Sequence, residues 1–201
     1  MVAKRSFDLL AASIGLVILS PLLLVIAFLL KWDRSGPVFY HGLRIGLNGV
    51  PFRIIKFRTM VPNAESLGIR VTEQDDARVT QIGTALRKYK LDELPQLINV
   101  IRGDMSIVGP RPEVPEYTSL YTDEEHLILS VRPGITDYAS IQFVQLNEVV
   151  GSNIQDGAFE ERVEKVLEIK NALRMKYVRE QTFVGDIKLI LRTLWRLVLG
   201  R

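Results

Sequence analysis

Between Leu9 and Leu30 the chain reads LLAASIGLVILSPLLLVIAFLL, 22 residues without a charge. A run that long and apolar meets the length needed to cross a bilayer as a helix, and it limits the fold more than any other feature. A cleaved signal peptide fits less well, because the run is long and no small-x-small site precedes Lys31. A buried core helix would normally be shorter. The sequence therefore divides into a membrane anchor over residues 1–34 and a folded domain over 35–201.

Length alone does not say whether the anchor spans. Lys4 and Arg5 precede the run while Lys31 and Arg34 follow it, so both ends carry the charge of a cytoplasmic flank. Ser20-Pro21 falls at its middle, where proline removes a backbone hydrogen bond and bends a helix. Each half, at about 1.5 Å per residue, is roughly 16 Å long, close to one leaflet. A bent helix that enters and leaves by the same face satisfies length, proline and charge together. A kinked spanning helix is the alternative, since membrane helices tolerate proline. Charge asymmetry agrees with a membrane-facing start: residues 1–60 hold eight Lys/Arg and two Asp/Glu, the remainder 18 and 21.

Composition then narrows the chemistry. There is no cysteine, which removes disulfide scaffolds, thiolate metal sites and cysteine nucleophiles. His41 and His126 are the only histidines, too few for a histidine-built metal site or triad. Chemistry must rest on carboxylates, lysines, arginines and hydroxyls. Val38–Met60 predicts a hairpin turning at Asn48-Gly49. Asn63–Arg78, with Glu65, Glu73, Asp75 and Asp76, reads as a solvated loop or short helix. Helices are predicted around Ile82–Lys90 and Leu94–Arg102, the second stopped by Gly103. Pro110, Pro112, Pro115 and Pro133-Gly134 break the middle into loops. Phe159, Val163, Val166, Leu167, Leu173 and Tyr177 recur at helical spacing as a core-facing stripe. In the last helix Lys188, Arg192 and Arg196 share one face and Trp195 sits near the end. That suits a basic helix on a membrane surface, or equally a packed helix with a solvated basic strip.

Two segments carry more charge and special backbone than a core needs. In Arg87-Lys88-Tyr89-Lys90-Leu91-Asp92-Glu93-Leu94-Pro95-Gln96, Pro95 is acceptable only in a first helical turn, which puts Asp92 and Glu93 at a helix N-terminus. The macrodipole there should lower the carboxylate pKa. An ionised Asp beside cations is a competent nucleophile toward phosphorus, and Asp-Glu can hold Mg²⁺. Plain N-capping is the structural alternative. In Gly109-Pro110-Arg111-Pro112 a rigid turn presents a guanidinium and backbone N–H groups in a geometry that suits phosphate. Read structurally, it is a turn with one exposed arginine.

Taken together, these stretches resemble the bacterial sugar transferase family, the monotopic phosphoglycosyl transferases. The resemblance is carried by Lys4-Arg5-x-x-Asp8, Ser20-Pro21, Arg44-x-Gly46, Lys56-Phe57-Arg58-Thr59-Met60, Leu91-Asp92-Glu93-Leu94-Pro95-Gln96, Asp104-Met105-Ser106, Gly109-Pro110-Arg111-Pro112 and Arg132-Pro133-Gly134-Ile135-Thr136. It implies an α+β, mainly helical fold: a re-entrant membrane helix broken at Ser20-Pro21, and a cytosolic catalytic domain with a small β-hairpin. It implies Asp92 as nucleophile and Glu93 as its partner and Mg²⁺ ligand, with Asp92 itself a second metal-binding candidate. Arg87 and Arg111 would hold phosphate; Lys56, Arg58, Pro110 and Arg132 are further candidates. Lys4, Arg5, Ser20, Pro21 and Trp195 would meet the membrane.

The implied reaction moves a sugar 1-phosphate from a UDP-sugar to polyprenol (undecaprenyl) phosphate, releasing UMP through an aspartyl-phosphosugar intermediate. Mg²⁺ is the implied cofactor, and UDP-sugar, polyprenol phosphate and membrane lipid are the partners. Nucleic acid is not among them, and a homodimer is left open. The expected location is the bacterial inner membrane, monotopic, with catalysis on the cytoplasmic side. The sequence departs from the pattern at Lys90, where a Ser or Thr cap is common, and across Asp137–Val144. The last 60 residues match mainly at Tyr177 and Asp186. Rival readings are a non-catalytic membrane scaffold and, from the basic net charge, a tethered nucleic-acid binder.

Overall fold

Leu23, Ile26, Ala27 and Leu30 recur at positions i, i+3, i+4 and i+7, so a helix through them presents one apolar stripe. In the computed structural model that helix, α1, runs Val2–Trp32. The structure describes residues 2–33, 36–62, 64, 76–138 and 158–199, leaving aside the side chains of 158–166 and 197–199. Expectations for Asn63, for 65–75, for 139–144 and for Phe159, Val163 and Val166 fall outside these residues or side chains. Two compact units emerge: Met1–Arg5 with Leu43–Phe52 and Gly103–Arg201, and Ser6–Gly42 with Arg53–Arg102.

In the unit built on Ser6–Gly42 and Arg53–Arg102, the α1 stripe packs Ile26 and Leu30 against Phe57 and Leu86. The other faces of α1 are bare. Leu10, Val17, Ile18, Leu24 and Phe28 are between 62 and 74% exposed. Each such side chain forgoes roughly 1.5–3 kcal/mol of burial in water, so this surface is stable against lipid and not as a soluble core. The helix is long and apolar enough to cross a membrane, and the chain associates with one. The interruption expected at Ser20-Pro21 is not a gap: helix continues through Pro21, and the Ser20 hydroxyl bonds back to the Val17 carbonyl at 2.8 Å. Proline deletes one bond of the ladder without requiring the helix to end.

The hairpin forms as expected. Strand β1 (Phe39–Ile45) pairs with β2 (Pro51–Phe57) across Leu47–Gly49, where Asn48 and Gly49 take φ of 55° and 76°. Helix α2 (Gln81–Lys88) is capped by Thr80, whose hydroxyl accepts from Gly83 N at 2.9 Å. A 3₁₀ turn over Leu91–Glu93 leads into α3 (Gln96–Arg102), closed by Gly103 at φ 95°. Asp76 and Arg78, expected on a solvated surface, instead make a sheltered ion pair at 2.6 Å. Arg78 holds the Asp76 carboxyl down to about 2.

The other unit contains a strand pair that sequence reading missed. Strand β3 (Ser106–Val108) and β4 (Gly134–Thr136) run parallel, with Ser106 opposite Gly134 and Val108 opposite Thr136. The crossover between them holds α4 (Pro115–Thr118) and a 3₁₀ segment, Glu125–Ser130, as a parallel connection requires. Helices α5 (Ala158–Glu180) and α6 (Phe183–Leu199) complete the unit. Its core gathers Val108, Tyr177 and Leu189, with a neighbouring cluster of Tyr121, Ile128 and Met175.

Candidate active site

Asp92 lies at the corner between α2 and α3. Tyr89 ends α2, and Lys90 then takes left-handed backbone, φ 56° and ψ 24°, with no side-chain cap. That reversal folds the next turn back against α2. Asp92 becomes 8% exposed, a carboxylate almost out of water. Burial is the main cause that raises its pKa, and the neighbouring charge of Glu93 adds to it; Lys56, Lys90 and Arg87 pull the other way. The macrodipole expectation of a lowered pKa is thus reversed. Helix α3 has only seven residues and begins behind a 3₁₀ turn, so its dipole is small beside the cost of lost hydration.

The cations around Asp92 come from separate elements. Lys56 on β2 places Nζ 2.7 Å from Glu93 Oε1. Its position is set by Asn99, wholly buried on α3, whose amide replaces a strand partner. Asn99 Oδ1 accepts from Ile55 N, and Nδ2 donates to the Arg53 carbonyl, both at 2.9 Å. One side chain therefore ties β2 to the helix that follows Glu93. Arg87, on the last turn of α2, donates from Nε to Thr59 Oγ1 at 2.9 Å. Burial lowers the Arg87 pKa while Asp92 and Asp76 raise it. Gln96 is 1% exposed, and among the described residues its Nε2 has no hydrogen-bond partner. No local pattern singles out Asn99 or Gln96 for their side chains, because polar residues in a helix normally face water.

Asp92, Glu93, Lys56 and Arg87 thus come together within one unit. Arg58 belongs to the same unit, but its guanidinium serves α1. It donates to the Leu30 and Pro37 carbonyls and pairs with Asp33 at 3.1 Å, closing a helix C-terminus where cations are favoured.

Pro110, Arg111 and Arg132 belong to the other unit. Gly109 N donates to the Thr136 carbonyl and Gly134 N to that of Pro110, at 3.1 and 3.0 Å. Glycine is required on both sides, since a Cβ on either Gly109 or Gly134 would strike the opposing backbone. Arg111 N donates to Asp137 Oδ2 at 3.3 Å. Behind the turn, Glu113 pairs with Arg174, Arg174 donates to Asn171 Oδ1, and Asn171 Nδ2 donates to Glu125 Oε1. Arg132 Nε holds the Gly103 carbonyl at 2.9 Å.

Among the membrane candidates, Lys4 turns inward: its ammonium meets Asp186, the Tyr177 hydroxyl and the Val108 carbonyl. Arg5 approaches Gly103, Ser20 and Pro21 lie on α1, and Trp195 is 69% exposed on α6. A buried carboxylate with a second acid beside it and cations at its rim can accept phosphorus and the charge phosphate brings.

The sequence is similar to known proteins along its length. The sequence matches the family described as Bacterial sugar transferase over residues 1–200, well beyond the motifs that end near Thr136. It is 38% identical over 215 residues to the Exopolysaccharide production protein ExoY of Sinorhizobium fredii, covering 100% of this chain and 87% of that protein. It is 34% identical over 201 residues to the UDP-glucose:undecaprenyl-phosphate glucose-1-phosphate transferase of Caulobacter vibrioides, covering 94% of this chain and 67% of that one. A protein of the same name from Escherichia coli is 37% identical over 196 residues, with 96% and 39% covered. A family match along nearly the whole length, on a chain whose acidic pair is sheltered among cations, leads to one conclusion: the chain belongs to the bacterial sugar transferase family.

Proposed function

We propose that this chain moves a sugar 1-phosphate from a UDP-sugar to polyprenol phosphate, with Asp92 as nucleophile. The observation that carries the reading is the buried Asp92 carboxylate, next to Glu93 and within the influence of Lys56, Lys90 and Arg87. The names of the Caulobacter and Escherichia coli relatives, with UDP-glucose and undecaprenyl phosphate as substrates, support the donor and acceptor classes. In the first step an Asp92 oxygen bonds to the β-phosphorus, and the bond from that phosphorus to the bridging oxygen breaks. UMP leaves with the bridging oxygen and its electron pair. In the second step a phosphate oxygen of the polyprenol attacks the same phosphorus. The aspartyl oxygen departs, restoring the carboxylate and giving a polyprenol diphosphosugar.

The acidic pair fits Mg²⁺ once a diphosphate shares the site and balances the neighbouring cations. Asp92 and Glu93 supply hard oxygen donors in the number Mg²⁺ takes when phosphate and water complete its shell, and they would hold it. When bound, it neutralises phosphate charge and orients the diphosphate. Lys56 and Arg87 add fixed positive charge from the protein, acting where charge builds up. A raised pKa makes Asp92 a stronger nucleophile once ionised, and loss of water around it lowers the cost of attack.

Topology belongs to the same proposal. Helix α1 enters and leaves the cytoplasmic face of the inner membrane, bent near Ser20-Pro21. Helix α6 lies on that surface, which its exposed Val184, Lys188, Leu191 and Trp195 support: spaced by four, three and four residues, they share one face. The full chain in nanodiscs, given Mg²⁺, polyprenol phosphate and a panel of UDP-sugars, is expected to release UMP with at least one donor. Donor alone should leave a mass adduct on Asp92. Folded protein that releases no UMP with any donor would overturn the reading in favour of a scaffold. Cysteines introduced at Met1 and near Arg34 should label from one side; labelling from opposite sides restores a spanning helix.

A further inference from the structure

We propose that Lys56 is a resident cation on Glu93 which a divalent metal must displace, so that metal loading redirects the lysine ammonium toward the donor's diphosphate. The inference rests on the metal-holding role given above to Asp92 and Glu93.

Its basis is the contact itself. Lys56 Nζ lies 2.7 Å from Glu93 Oε1, with the two side chains 17 and 15% exposed. An ammonium at that distance takes up one of the approaches a metal would use at about 2.0–2.1 Å from the same oxygen. A metal on this carboxylate would also sit close to the ammonium in a sheltered place, where their repulsion is weakly screened, so the two cations compete for Glu93.

Charge points the same way. With Asp92 ionised, the charges that act on it most strongly among the described residues are Glu93 against Lys56, Lys90 and Arg87. Two negative charges therefore already face three positive ones. A divalent ion added to the intact cluster would meet a surplus of its own sign. Moving Lys56 off Glu93 relieves that surplus, and a diphosphate arriving next supplies the negative charge that both cations then share.

The fold permits this exchange. Asn99 fixes the β2 backbone just ahead of Lys56 through its bonds to Ile55 N and the Arg53 carbonyl, so the side chain is the part free to move. Lysine suits the task as a compact charge on a flexible four-carbon stem. Arginine would grip the carboxylate with a planar fork and exchange less readily.

Mn²⁺ binding, read by electron paramagnetic resonance on the full chain in zwitterionic nanodiscs, tests the proposal without turnover. Lys56→Met is expected to bind Mn²⁺ about tenfold more tightly than wild type, the effect of removing one charge-assisted competitor. Glu93→Gln should lose the binding. An independent readout needs no variant: acylation of Lys56 by an amine-reactive probe, followed by mass spectrometry, should rise when Mg²⁺ is added. If wild-type binding depends on Glu93 yet Lys56→Met binds no more tightly, or Mg²⁺ leaves Lys56 acylation unchanged, the displacement idea fails and the metal site stands. If neither wild type nor Lys56→Met binds Mn²⁺ at millimolar concentration, both fail together.

Discussion

The corner at Asp92 and the turn at Pro110-Arg111-Pro112 place charge in opposite ways. At the first, a left-handed lysine and a 3₁₀ turn press a carboxylate out of water, and burial raises its pKa. At the second, backbone hydrogen bonds from Gly109 and Gly134 hold the turn, and behind it runs a chain of Glu113, Arg174, Asn171 and Glu125 whose two middle members are buried. The first place holds a carboxylate short of water among cations, which would suit the nucleophile proposed above. The second is held in place by backbone hydrogen bonds and an ion pair, which would suit the phosphate-holding role that the resemblance implies for Arg111. Reactivity and rigidity are thus assigned to different stretches of chain.

The comparison breaks hardest at Asp92. Asp92→Asn is expected to reduce UMP release by more than about 10³-fold, measured with the donor that works best for wild type. The same variant should be more stable near neutral pH. The native pKa lies above the usual 3.8, so as pH rises the unfolded chain loses its proton first and native wild type loses stability. The gain in melting temperature of Asp92→Asn should therefore appear as pH climbs past 3.8 and vanish below it. For the same reason, the acid limb of wild-type adduct formation should sit above the ordinary aspartate range.

Arg174→Met should show the reverse profile, with stability lost first. It leaves Glu113 without its partner, and breaking a sheltered pair in this way costs about 3 kcal/mol or more. Denaturant unfolding in detergent measures it, and adding Glu113→Gln should recover part of the loss. Gly134→Ala comes next, at about 1–3 kcal/mol, because its methyl meets the Gly109 backbone and parts β3 from β4. The smallest effect is expected for Lys90→Gly. Relief of the left-handed conformation should add about 1 kcal/mol or less to stability, while UMP release stays within roughly tenfold because Lys56 and Arg87 remain. A collapse of activity in Lys90→Gly would make that lysine part of the reaction and blur the contrast between the two turns.

What could be read from sequence was what local chemistry dictates. Asn48-Gly49 announced the hairpin because few other residues accept positive φ there. Gly103 announced the end of α3, and Pro95 located Asp92 and Glu93 just ahead of it. The features missed depend on partners far along the chain. Strands β3 and β4 have three residues each, too short for any alternation to show. The burial of Arg174, at 2% exposure, has no local sign, because nothing near it in sequence marks Glu113 as its counterion. The direction of the Asp92 shift failed for the same reason: capping is local, whereas burial is decided by what packs on top. The contact of Arg58 with the Leu30 carbonyl, at the end of a helix 28 residues earlier, was likewise beyond any local pattern.

The lysine at position 4 carries a consequence for how the chain is made. Its ammonium is held by Asp186, 182 residues later, together with Tyr177 and the Val108 carbonyl. At synthesis rates of about 5–20 residues per second, the counter-charge emerges from the ribosome roughly 10–40 s after the lysine does. Through that interval the first turn of α1 is out in the cell with its charge unanswered, while the apolar run behind it is already complete. The first turn of α1 is thus fastened only after Asp186 has followed it, long after it was made.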